Sequence, residues 1–225
     1  MDKVIQESQS KIHVLPHQQY TSPLGFLSPS SVSSDPLHQF KQWLKEAVQA
    51  DVSEPEAMSL STVALGPTPF PSSRIVLLKT VDARGFVFFT NYTSRKSKEL
   101  DANPAAALAF YWPSVHRSVR VVGTVEKVSE QESTEYFHSR PRESQLGAWA
   151  SKQSSVVSED DVAQRLDKIR ERFDGREVDK PPFWGGWRVL PKEIEFWTGR
   201  PSRLHDRVRY LLDAEGKWTI ERIAP

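Results

Sequence analysis

Apolar positions in the stretch after residue 35 recur at helical spacing. Leu37, Phe40, Leu44 and Val48 form one stripe, which Trp43 and Ala47 widen. Ser34-Asp35-Pro36 stands just before it: an acid suited to capping a helix, then a proline suited to its first turn. A helix is therefore predicted from this point. Beyond it the pattern changes to short alternating or β-branched runs, which predict strands at 58–65, 75–81, 86–90, 105–112 and 119–128. Gly66-Pro67-Thr68-Pro69 separates the first two, and Asp82-Ala-Arg-Gly85 has the composition of a hairpin turn. Further helices are predicted at 94–100, 129–138 and 158–173, the last with Val162, Leu166, Ile169 and Phe173 on one face. Strands at 187–190, 194–197, 208–212 and 218–223 close the chain. Many short strands with few helices between them argue against a parallel βαβ sheet. They predict a mainly β (α+β) fold, an antiparallel barrel with peripheral helices. Residues 1–34, polar and interrupted by Pro16, Pro23, Pro29 and a serine cluster, are expected to form a flexible arm before a single domain at 35–225.

Charge narrows the possible partners. Lys and Arg number 30 against 29 Asp and Glu, a formal net charge of +1, which argues against a nucleic-acid partner. The chain has no cysteine, so disulfides, thiolate metal sites and thiol nucleophiles are excluded. No apolar run is long enough for a bilayer and no secretory leader pattern is present, so no membrane association and a cytoplasmic location are expected. Dinucleotide and nucleotide-phosphate loops, the zinc-protease helix and the nucleophile-elbow motif are all missing, and the six histidines are scattered.

What remains is local concentrations of cations beside hydroxyls and aromatics. Arg203, His205, Arg207 and Arg209 alternate with Leu204, Asp206 and Val208, so in an extended strand they share one face. Such a row repels itself unless an anion or an electron-rich ring lies against it. Ser94-Arg95-Lys96-Ser97-Lys98 puts cations in the first turn of a helix, where the dipole opposes them unless an anion intervenes. Tyr136 and Arg140 are four apart, with Ser144 just beyond, and suggest a second phosphate site. Arg74-Ile-Val-Leu-Leu-Lys79 is an apolar strand with a cation at each end. Gln153-Ser154-Ser155 is a polar patch, and Trp184, Trp187 and Trp197 provide flat rings. Two phosphate-type clusters and a basic row near aromatics suit two phosphorylated planar molecules side by side, such as FMN beside a second phosphorylated ring.

These same segments resemble the pyridoxamine 5′-phosphate oxidase family. The likeness is carried by Arg74-Ile-Val-Leu-Leu-Lys, Phe89-Thr-Asn, Ser94-Arg-Lys, Tyr136-Phe-His-Ser-Arg-Pro-Arg, Ser151-Lys-Gln-Ser-Ser, Phe183-Trp-Gly-Gly, Glu195-Phe-Trp and Arg203-Leu-His-Asp-Arg. It runs from about residue 35 to the end. The resemblance implies an FMN-binding split barrel, a homodimer with the FMN site at the subunit interface. It implies oxidation of pyridoxine 5′-phosphate or pyridoxamine 5′-phosphate by O2 to pyridoxal 5′-phosphate, by hydride transfer from C4′ to flavin N5. Peroxide is released, with ammonia from the amine. By motif position it implies FMN contacts from Arg74, Ile75, Val76, Leu77, Phe89, Thr90, Arg95, Lys96, Gln153, Ser154, Trp197 and Arg207. Ser118 stands where the family commonly has a glutamine contacting flavin. The substrate phosphate falls to Lys79, Tyr136, Arg140 and Ser144. Arg203, Leu204 and His205 fall at the substrate, with Arg203 and His205 beside the reacting carbon. Near Tyr20, His17 stands where the family often has arginine. The alternatives are a split-barrel flavin reductase and a non-catalytic flavin or pyridoxal-phosphate carrier.

Overall fold

The computed structural model describes residues 19–225, together with the backbone of two paired strands, β1 (Ile5–Ser8) and β2 (Lys11–Val14). The rest of the expected arm, His17 included, lies outside the described residues. Residues 19–34 follow the domain surface. Leu27 is buried in the main core, and the Tyr210 hydroxyl donates to the Ser33 carbonyl at 2.6 Å.

Helix α1 (Pro36–Gln49) starts where its cap was predicted: the Asp35 carboxylate accepts from the Leu37 N–H at 2.8 Å. Leu37, Phe40, Trp43 and Ala47 are buried, and Phe40 meets Phe86 and Phe110 at 4.9 Å between ring centres. Val48, expected on this stripe, is exposed, because the chain turns back and Ala50 and Val52 cover that end of the core.

The remaining strands are β3 (Ala57–Ala64), β4 (Phe70–Leu77), β5 (Thr80–Val81), β6 (Phe86–Asn91), β7 (Ala105–Trp112), β8 (Arg117–Lys127), β9 (Trp184–Thr198), β10 (Asp206–Leu212) and β11 (Trp218–Arg222). Among the described residues these nine form one antiparallel sheet in the order β11-β10-β9-β8-β7-β3-β4. β6, hairpinned to β5, also pairs with β9. One edge of β9 is thus shared, with β6 along Trp184–Val189 and β10 along Glu193–Thr198. This fork gives the mainly β (α+β), split-barrel character expected.

The two strands predicted at 187–190 and 194–197 are one strand that passes through Pro191. The proline is tolerated because no neighbour needs its missing N–H. It adjoins a bulge in β9 itself, where Lys192 is left unpaired between the Val122–Glu193 and Gly123–Pro191 pairs with β8, in the gap between the ends of β6 and β10. The strand predicted at 75–81 is displaced: β4 begins at Phe70 and ends at Leu77, leaving Lys79 on the connection to β5.

Helices α2 (Arg95–Ala102), α3 (Glu130–Ser139), α4 (Arg142–Ala150) and α5 (Asp161–Arg172) lie around the sheet. α3 opens on a capping box of Ser129 and Glu132. α4 was not predicted, since the proline before it signalled only a turn. A second cluster of Phe137, Leu146, Phe173, Val178 and Trp184 packs these helices against the start of β9.

Candidate active site

A cavity of about 970 Å³ opens between β4, β6, the start of α2 and the α3–α4 junction. β4 ends the strand order, so its outer backbone edge pairs with no strand among the described residues, and Ile75 and Leu77 stay exposed beside it. An edge of this kind offers N–H and C=O groups to the rim of a planar heterocycle.

At one end of the cavity stand Arg74, Arg95 and Lys96. Lys96 is buried, and its ammonium donates to Thr90 Oγ1 at 3.2 Å, Gln153 Oε1 at 3.1 Å and Ser94 Oγ at 3.4 Å. Among the described residues it forms no ion pair. Burial first, and then the Arg74 charge, lower it to about 8. Ser94 caps α2, and the first turn holds no acid. A buried cation at a helix N-terminus, with only neutral oxygens around it, is a site suited to an anion.

The other end is built where α3 meets α4. Tyr136, Arg140 and Ser144 line it, with Lys79 across from them. Arg140 lies over the Trp184 ring at 4.8 Å, and its Nη1 is buried with no hydrogen-bond partner among the described residues. No side chain caps α4, whose N-cap is Pro141, so its first N–H groups stay open beside Ser144. This end too is suited to an anion. Between the two ends Phe89, Tyr136 and Trp184 stack nearly parallel, Phe89 on Tyr136 at 4.0 Å and on Trp184 at 5.5 Å. The chain can pack this tightly only because Gly185 and Gly186 follow Trp184. A β-carbon on Gly186 would stand 2.6 Å from Val128 and 2.8 Å from the Phe89 ring, and one on Gly185 would stand 2.2 Å from the Tyr92 hydroxyl. The flat-ring role expected of the tryptophans thus falls to Trp184, while Trp187 is core.

Of the residues singled out in the sequence, Arg74, Ile75, Val76, Leu77, Phe89 and Thr90 line this cavity from the sheet, and Lys79 from the β4–β5 connection. Arg95, Lys96, Tyr136, Arg140, Ser144, Gln153 and Ser154 line it from the helices and the loop after α4. Ser118, Trp197, Arg203, Leu204, His205 and Arg207 do not. They gather at the far end of β9, where Trp197 is paired with both Ser118 and Arg207 in register. His205 packs on Trp197 at 4.7 Å, Tyr20 lies 5.8 Å from each, and His205 Nδ1 accepts from the Arg200 N–H at 3.1 Å. Burial and then the Arg203 charge lower the His205 imidazole.

The basic row of four is also revised. β10 begins only at Asp206, and Arg203 lies in the turn Pro201–Arg203 with a φ of 60°. Only Arg207 and Arg209 share a strand face. Neighbouring strands neutralise them: Arg207 meets Glu195 at 2.7 Å and Arg209 meets Glu221 at 2.7 Å. Asp206, on the buried face, pairs with Arg222 at 2.9 Å. Sequence reasoning missed Ser72 and Asn91, which line the cavity, and Thr62 and Glu99, which bond to its arginines from behind. Only Glu99 had a local signal, its four-residue spacing from Arg95.

An open antiparallel sheet whose edge strand, helix N-termini and stacked aromatics enclose a cavity with two cationic ends has the features of a binder of phosphorylated planar molecules. Residues 44–170 match the family described as pyridoxamine 5′-phosphate oxidase, and residues 184–225 match the pyridoxine 5′-phosphate oxidase C-terminal dimerisation region. A pyridoxine/pyridoxamine 5′-phosphate oxidase of Microcystis aeruginosa is 54% identical over 200 residues, 88% of this chain and 92% of that protein. One of Ralstonia pickettii is 55% identical over 200 residues, covering 88% and 93%. Among solved structures, PhzG from Burkholderia lata in complex with tetrahydrophenazine-1-carboxylic acid superposes with a TM-score of 0.84 at 29% identity, covering 91% of this chain and 99% of that one. The chain belongs to the pyridoxamine 5′-phosphate oxidase family and is an FMN-dependent oxidoreductase.

Proposed function

We propose that the chain oxidises pyridoxine 5′-phosphate or pyridoxamine 5′-phosphate to pyridoxal 5′-phosphate, with O2 as final acceptor. The observation that carries this is the pair of anion sites in one cavity: the Lys96 ammonium without a carboxylate, and the Arg140 guanidinium with an unpartnered Nη1. FMN fits the first, because its phosphate supplies the charge Lys96 lacks and its ring meets the open edge of β4. When bound, FMN supplies the two-electron acceptor that oxygen restores. The chain's own part is to hold both rings. Arg95 and Lys96 take the flavin phosphate, while Lys79, Tyr136, Arg140 and Ser144 take the substrate phosphate. Orientation of this kind contributes much of the rate in reactions that need no covalent nucleophile.

The second half of the site comes from another subunit. Trp184 and Trp197 lie on one strand, thirteen residues apart, up to roughly 40 Å of extended chain. One mononucleotide cannot touch both within a single copy. A two-fold partner, bound through the 184–225 dimerisation region, brings its Ser118, Trp197, Arg203, His205 and Arg207 to this cavity. There Arg203 and His205 face the reacting carbon and Arg207 the flavin. His205 enters as the neutral imidazole with its proton on Nε2, since Nδ1 already accepts from Arg200.

Anaerobic addition of pyridoxine 5′-phosphate to the FMN-loaded protein should bleach the flavin absorption band, and air should restore it with release of peroxide. A flavin reductase bleaches with a nicotinamide donor instead, and a carrier does not bleach at all. A phenazine-type carboxylate, as in the Burkholderia relative, carries no phosphate for the Arg140 site and should leave the spectrum unchanged.

A further inference from the structure

Glu99 lies in the second turn of α2 with 7% of its side chain exposed, yet nothing assigned so far uses it. Its two oxygens have separate tasks. Oε1 accepts from Arg95 Nε at 2.8 Å. Oε2 accepts from the Ser72 hydroxyl at 2.6 Å, from the Thr62 hydroxyl and from Arg74 Nη2 at 3.3 Å. Burial alone would raise this carboxyl, but the bonds from Ser72, Thr62 and Arg95 and the Arg95 charge outweigh it and hold it at about 2. It is therefore anionic at any working pH.

A buried ion pair of this sort adds little stability over an apolar replacement, so its presence calls for another reason. Arg95 supplies one. Its side chain is 60% exposed, and without a tether it would sample many rotamers. Glu99 grips it by Nε, on the inner edge of the guanidinium, and among the described residues neither terminal nitrogen of Arg95, which lines the cavity, has a hydrogen-bond partner. Arg74 is held by its outer nitrogens instead, to Leu60, Thr62, Ser72 and Glu99. The charge count agrees: three cations and one carboxylate leave two positive charges, matching a phosphate monoester near neutral pH.

We propose that Glu99 is a positioning residue for phosphate recognition: it aims Arg95 at the phosphate and trims the charge at this end of the cavity to that of a monoester dianion. This rests on the assignment of the Arg95–Lys96 end to the FMN phosphate. The test compares FMN with riboflavin, which has the same ring and no phosphate, by flavin fluorescence quenching on full-length apoprotein. Glu99→Gln should weaken FMN binding at least tenfold and riboflavin less than twofold. Glu99→Asp keeps the charge but withdraws it by one methylene, and serves if the amide variant does not fold. It should lower the FMN-to-riboflavin preference at least threefold. A merely structural role would weaken both ligands alike, and a preference that is unchanged or increased overturns the proposal. If the unsubstituted protein itself does not prefer FMN to riboflavin, the phosphate assignment fails too, and the positioning role with it.

Discussion

Lys96 is the residue on which most of the proposed cofactor site turns, because it is a buried ammonium surrounded by neutral oxygens. Its charge is unfavourable until an anion arrives. Lys96→Met should therefore cost about 1.5–3 kcal/mol of FMN binding, roughly ten- to a hundredfold in Kd, measured by fluorescence titration. The same residue sets a pH dependence. In the free protein burial lowers it to about 8, and an adjacent phosphate favours the charged form and raises it again. Below pH 8 both states carry the proton, so Lys96 contributes no slope. Above pH 8 binding must take up a proton, and FMN affinity should fall by up to about tenfold per pH unit. Titration from about pH 7 to 9.5 checks this, and the slope should vanish in Lys96→Met.

At the scale of elements, the glycines after Trp184 decide how closely β9 approaches β6 and α3. Gly186→Ala would drive a methyl group into the buried Val128 and into Phe89, which is stacked on Tyr136 and Trp184. Overpacking of this kind costs about 1–3 kcal/mol, readable in urea unfolding. It should also disturb the Phe89–Tyr136–Trp184 stack, and so raise the substrate KM more than it weakens FMN binding. Local signals served well where one element carried the information. Asp35 and Pro36 marked the start of α1, Ser94 marked α2, and the strand alternation marked β7 and β8. They misled where a neighbour supplied the answer. Pro191 breaks a strand read in isolation, yet is harmless beside the β9 bulge at Lys192. Arg203, His205, Arg207 and Arg209 alternate perfectly on paper, but a turn at Pro201–Arg203 removes the first two from the strand.

For the whole molecule, the proposed active site belongs to two copies. Arg140 would lie in the cavity contributed by one subunit and His205 in the half contributed by the other. Arg140→Ala and His205→Ala should each abolish most turnover as homodimers. Unfolded and refolded together, half the dimers would be mixed. Each mixed dimer would hold one site damaged twice and one intact, so up to about a quarter of wild-type activity should return. A site built within one chain would recover nothing. Among the described residues no helix is long and apolar enough to cross a membrane.

The sequence by itself determined which side chains are candidates for the proposed chemistry. A phosphate needs cations, hydroxyls and a helix start whatever surrounds them, and those residue types stand together at Ser94–Lys96 and around Arg140. It also determined the antiparallel class, through strand length and turn composition. The tertiary structure alone decided which of these residues meet. Cross-strand neighbours set Glu195 on Arg207 and Glu221 on Arg209. The fold of α2 against β3 and β4 brings Glu99 to Arg74, and the length of β9 parts Trp184 from Trp197. Register, helix packing and strand reach are long-range properties that no local pattern encodes.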